Sequence, residues 1–203
     1  MANFNVLKDD NVSPISGGNL NFGPNEATIE SITFNENAGK DGSPGEALEV
    51  NFKVGGVEKR HRIYWATKAY KDGRETTDPD AVEAEQDLVQ RTIYHIFSPF
   101  ITEPVRNKLS ANLQKANSFK TYCMAFINAV GTAYKDVPLL LFMQYQYAIT
   151  GSNNKTYLEI PKNIKHGHFL IRVPKSEWEW VTLPKADDEG RYMVLRSVQD
   201  PTK

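Results

Sequence analysis

Between Leu48 and Trp65 the chain specifies a β-hairpin. Leu48, Val50, Phe52 and Val54 alternate with Glu49, Asn51 and Lys53, the period of two of a strand with one buried face. Gly55-Gly56 then supplies two residues free to take positive φ, as a two-residue hairpin turn requires. In the returning run, residues 57–66, Ile63 and Trp65 share one face, and Arg60, Arg62 and Tyr64 share the other. Trp65 is therefore expected in the core and Tyr64 outside. A hairpin with one apolar face must bury it against further structure. At 203 residues, 40% of them hydrophobic, the chain has the material for a sizeable core.

The flanking sequence supplies the rest in a readable order. Residues 28–34 form an earlier strand with Ile32 and Phe34 on one face. The glycine-rich stretch from Asn37 to Gly45 joins it to the hairpin and is expected to be mobile. Asp78 before Pro79 is an N-cap with proline in the first turn. Val82, Val89, Ile93, Ile96 and Phe97 make an apolar helical stripe, which Ser98-Pro99 ends. A second helix is expected over about residues 103–113, and a third from an N-cap at Ser118 to a stop at Gly131. Strands return at residues 139–149, after a turn over 151–154 at 156–160, and at 168–173, with weaker signals at 178–183 and 192–198.

The expected organisation is an extended arm over residues 1–25, a domain over 26–183 with a helical insert at 78–131, and a C-terminal segment over 184–203. Three strands, a helical block and further strands, without βαβ alternation, describe an α+β chain. A five-stranded Greek-key barrel of the oligonucleotide-binding (OB) type places its helix between strands three and four, where this chain carries its helical insertion. An α+β sandwich fits the same order. The helices have one apolar stripe each and should bury it as a cap on the barrel.

Charge and composition exclude several classes. Lys plus Arg is 24 and Asp plus Glu is 25, so the chain is not a strongly basic polyanion binder as a whole. That balance hides local patches. Residues 53–74 carry seven basic residues against two acidic, a net +5, and the run from Glu75 to Asp87 carries six acidic residues and no basic one. The longest apolar run, from Val137 to Met143, is too short to cross a bilayer. The start Met1-Ala2-Asn3-Phe4-Asn5 lacks the features of a signal peptide, and a single cysteine excludes an internal disulfide framework, so a cytoplasmic compartment is expected.

Catalytic and cofactor chemistry find little support. No phosphate-cradling glycine loop is followed by Lys and Ser/Thr. His166-Gly167-His168 is a close histidine pair without a third Cys or His nearby, which argues against a metal. Cys123 falls on an apolar helix face and reads as a packing residue. The acids from Asp78 to Asp87 suit a helix start, where the macrodipole favours them. No cofactor and no enzymatic activity are expected.

Binding chemistry is better represented. Arg60, Arg62 and Tyr64 share a strand face, where guanidinium groups can meet phosphates and a ring can stack on a base. Lys53, Lys59, Lys68, Tyr70, Lys71 and Arg74 lie close by in sequence. Tyr145, Tyr147 and Tyr157 recur on the later strands, followed by Lys162 and Lys165 in a basic turn. Cations interleaved with aromatics suit a single-strand groove, in which charge follows the backbone and rings take the bases. An ordinary solvated sheet face would show the same residues.

The stretch from Ile32 to Trp65 with its glycine-rich loop, the helical insert, Pro138-Leu-Leu-Leu-Phe-Met-Gln-Tyr-Gln-Tyr147 and Tyr157-Leu-Glu-Ile-Pro-Lys162 resemble phage-encoded single-stranded DNA-binding proteins of the OB fold. The resemblance covers about residues 26–175 and is one of architecture and texture. It implies a viral protein that coats single strands, without catalysis, during DNA replication or recombination in the host cytoplasm. It further implies replication or recombination proteins as partners, a capacity for homo-oligomers, and no membrane association. Many such proteins end in an acidic tail that recruits partners, whereas residues 191–203 contain one acid, Asp200. A structural protein of a virion, with aromatic sheet faces as subunit interfaces, is the alternative.

Overall fold

The computed structural model describes residues 23–39, 45–71, 74–150, 153–162, 164, 169–172 and 195–196. Side chains at 23, 70–71, 144–150, 153–158, 171 and 195–196 lie outside that description. The chain is α+β, with a curled antiparallel half-barrel sheet and three helices.

The hairpin is formed by β2 (Ala47–Val54) and β3 (Val57–Tyr64). Gly55 and Gly56 both take positive φ, 54° and 83°, the left-handed pair that suits the strands' twist. This turn sets the register, so Val54 faces Val57, Asn51 faces Arg60 and Glu49 faces Arg62. Leu48, Val50, Phe52, Val54 and Ile63 are buried, as their alternation requires. Trp65 is half-buried and lies against Phe119, with ring centroids 5.3 Å apart.

The preceding strand, β1 (Gly23–Asn35), is longer than its sequence suggests. Its first residues pair with β6 (Leu139–Thr150), from Gly23 opposite Met143 to Ala27 opposite Leu139. Residues 23–25, read above as part of an extended arm, are therefore strand. The rest of β1 pairs with β2, and the register shifts between Ile29 and Ser31. A bulge adds one residue and inverts the facing beyond it. Ala27 and Ile29 point into the core before it, and Ile32 does so after it.

β6 is buried along Leu139–Met143, on both faces, and continues into a hairpin with β7 (Asn153–Glu159). Asn153 and Asn154, read as turn, are strand residues paired with Thr150 and Ile149. Two short strands complete the sheet: β8 (Leu170–Ile171) antiparallel to β6, and β9 (Leu195–Arg196) parallel to it. The main path runs β3-β2-β1-β6-β7. Its ends approach each other, because Lys59 on β3 pairs with Glu159 on β7 at 3.9 Å. A separate hairpin, β4 (Ala69–Lys71) and β5 (Arg74–Thr76), has no counterpart in the sequence reading.

The helices are α1 (Pro79–Phe97), α2 (Glu103–Leu113) and α3 (Phe119–Val130), with a 3₁₀ turn at Ser98–Phe100. Asp78 caps α1 by accepting from the N–H groups of Asp80 and Ala81. Ser118 and Thr121 form a reciprocal capping box on α3, and Gly131 ends it at φ 58°. Ile93, Ile96 and Phe97 of α1 and Phe119 and Phe126 of α3 share one buried cluster with Ile29, Leu48, Phe52, Leu141 and Met143 of the sheet. None of the helices among the described residues is long and apolar enough to cross a membrane.

Candidate nucleic-acid interface

Strand parity sorts β1–β3 into two faces. The inner face carries the core. Past the bulge, the outer face carries Ser31, Thr33 and Asn35 from β1, Ala47, Glu49, Asn51 and Lys53 from β2, and Glu58, Arg60, Arg62 and Tyr64 from β3. It is a polar surface with fixed internal contacts. Asn51 Nδ2 donates to Ser31 Oγ at 2.8 Å, and Tyr64 Oη donates to the Ala38 carbonyl at 2.8 Å. The second bond fastens the β1–β2 connection to β3. Ala38 is buried and donates its N–H to the Gly45 carbonyl at 2.7 Å, so the base of a connection expected to be mobile is held.

The cations of this face are not equivalent. Arg62 Nε donates to Glu49 Oε1 at 2.6 Å, and Glu49 is only 8% exposed. The Glu49 carboxylate holds the Arg62 guanidinium above its ordinary pKa. Arg62 thus remains charged, with much of its field already answered. Arg60 and Lys53 are exposed and, among the described residues, make no ion pair. Tyr64 is 45% exposed, with its hydroxyl held and its ring presented to solvent.

The other expected site residues divide by position. Lys59 has the inward parity of β3 and pairs with Glu159, so it lies on the opposite face from Arg60 and Arg62. Alternation already separates it from its neighbours. Lys68 pairs with Glu75 at 3.1 Å, and Arg74 is exposed on β5. Both belong to the β4–β5 hairpin region, which Gln86 Nε2 ties to α1 through the Ala66 carbonyl at 2.9 Å. Lys162 is exposed beyond β7. Tyr70 and Lys71 lie on β4, Tyr145 and Tyr147 on β6, and Tyr157 on β7, each with its side chain outside the described residues; Lys165 lies outside them altogether.

Cys123 and Asp78 have structural roles. Cys123 is fully buried, and burial pushes its thiol up to about 12, which leaves no thiolate for chemistry near neutrality. Asp78 serves as the α1 cap. Among the described residues no group of three or more His, Cys, Asp or Glu side chains could hold a metal ion; His166 and His168 lie outside them.

Sequence reasoning missed the pairing of Glu49 with Arg62. The signal was present, because a two-residue turn at Gly55-Gly56 puts residue 49 opposite residue 62. Against known proteins, the chain matches no family model, no curated protein and no solved structure.

Proposed function

We propose that this chain binds single-stranded DNA along the outer face of β1–β3, without catalysis, in the coating of strands during replication or recombination. The observation that carries this reading is the grouping of Lys53, Arg60, Arg62 and an exposed Tyr64 ring on one polar face. Cations there would follow phosphates, and the ring would stack on a base whatever its identity.

The fold supports the reading. The order β3-β2-β1-β6-β7, with the helices between β3 and β6, is compatible with an OB-like barrel in which β6 and β7 would be the fourth and fifth strands. The Lys59–Glu159 pair stands where β3 and β7 would close it. In such barrels the face of strands two and three and the connection between strands one and two bind the oligonucleotide. Here that connection is fastened to the same face by Tyr64.

Exchanging Lys53 and Arg60 together for alanine should weaken binding and reduce the slope of log K against log salt by roughly 1.4, two contacts at about 0.7 each for a single strand. Stability should change little, because both side chains are exposed. Titration of a fluorescent oligonucleotide at several salt concentrations measures both quantities. A double variant with the parent's slope would remove this face from the interface.

A further inference from the structure

The pair of helices α2 and α3 carries a positive charge that the sheet face does not include. Residues 104–135 hold five basic residues, Arg106, Lys108, Lys115, Lys120 and Lys135, and no acidic one. All five are exposed. Lys120 pairs with Glu36, and among the described residues the other four make no ion pair. Lys108 Nζ donates to the Asn128 carbonyl at 2.6 Å, a bond that holds its position without an opposing charge. It thereby stands on the side of α2 that meets α3. Lys115 follows the α2 cap Gln114 and lies seven residues beyond Lys108, about two helical turns, so it flanks the same side. Asn107, Ser110, Gln114 and Asn117 are exposed nearby and bring neutral groups that can donate to phosphate oxygens.

We infer that α2 and α3 form a second backbone-binding surface, on which Lys108 and Lys115 follow the phosphates of a strand that continues from the sheet face past Lys120. The inference rests on the single-strand reading above and adds the path and length of the bound strand to it. The two surfaces adjoin, because Lys120 and Met124 of α3 share a shallow cleft with Thr33, Asn35 and Glu49 of the outer sheet face. One turn beyond Met124 stands Asn128, which holds Lys108. From Lys120 to Asn128 is eight residues, about 12 Å of helix. At the junction Glu36 is answered by Lys120 and Glu49 by Arg62, which leaves the passage from sheet to helix open to a phosphate chain. Glu36, with Glu46 beyond it, raises the Lys120 pKa, so Lys120 stays charged with much of its field already spent. Lys108 and Lys115 are the cations left to meet phosphates, and such contacts read no base.

The test titrates the full chain, with oligonucleotide in excess, against single-stranded DNA of about six and of about sixteen residues, lengths that span the site sizes of OB folds. The short strand is expected to engage one surface and the long strand both. The slope of log K against log salt should then be steeper for the long strand by about 1.4, two contacts at about 0.7 each. Lys108→Gln together with Lys115→Gln should bring the long-strand slope back to that of the short strand. Lys108→Arg together with Lys115→Arg keeps the charge and should keep the steeper slope. Equal slopes for the two lengths in the parent, a glutamine variant with the parent's long-strand slope, or an arginine variant as impaired as the glutamine one overturns the second surface and leaves the single-strand reading standing. Failure of the parent to bind either length overturns both.

Discussion

Replacing Phe126 by alanine is expected to cost about 3–5 kcal/mol, the usual range for deleting a buried aromatic ring. Phe126 is 1% exposed and sits where α1 meets α3. It stacks on Phe97 at 5.2 Å and meets Tyr122 and Tyr94 edge-on at 5.2 and 6.4 Å. The loss combines transfer free energy with a cavity. The urea midpoint should fall with little change in slope. The helices share one apolar cluster with the sheet, so far-ultraviolet circular dichroism and tryptophan fluorescence should report the same transition in parent and variant. A helical signal that melts apart from the fluorescence would mean that the helical block folds independently of the sheet.

The second large effect is acid sensitivity at His61. This residue is 5% exposed on the inner face of β3, with its ring 5.7 Å from that of Phe169. Its Nε2 has no hydrogen-bond partner among the described residues. Burial disfavours the charged imidazolium and lowers the pKa from 6.5 to about 4. The unfolded chain therefore takes up this proton at a higher pH than the folded one. The contribution is intact above pH 6.5, falls by about 1.4 kcal/mol per pH unit below that, and levels off near pH 4. The total is about 3 kcal/mol over that window. His61→Leu should remove this part of the pH dependence. Urea midpoints of parent and variant at pH 7 and near pH 4.5 make the comparison, and the common titration of carboxylates cancels in the difference. Parallel declines in the two proteins would show that His61 is not the group responsible.

Local chemistry made much of this fold legible. Gly55-Gly56 fixed a turn and, through it, the register of a hairpin. Asp78, Ser118 and Gly131 marked helix ends because each satisfies backbone groups that a helix leaves open. The bulge near Glu30 was not legible. Alternation assumes an unbroken pleat, and the apolar phase of β1 changes between Ile29 and Ile32, so the expected strand began only at residue 28 and residues 23–25 fell within the arm. The β4–β5 hairpin, with three residues in each strand, is too short to show a period.

The same division holds for the candidate site. The shared facing of Arg60, Arg62 and Tyr64 follows from period two alone. The inequality of the two arginines depends on Glu49 across the ladder, and the pairing of Lys120 with Glu36 depends on a helix arriving from 84 residues away in sequence. No local pattern encodes that encounter, because it arises from Phe119 docking against Phe34 and Trp65.

In the proposed interface Lys53, Arg60 and Arg62 form a phosphate-following face. It is tested most directly by titrating the intact chain with a single-stranded oligonucleotide at low and at high salt. Binding of a short strand at low salt is expected to weaken with a slope between about −1.4 and −2 in log K against log salt, two full contacts from Lys53 and Arg60 at about 0.7 each and a partial one from Arg62, which Glu49 already answers. Absence of binding at low salt, or binding indifferent to salt, would contradict it.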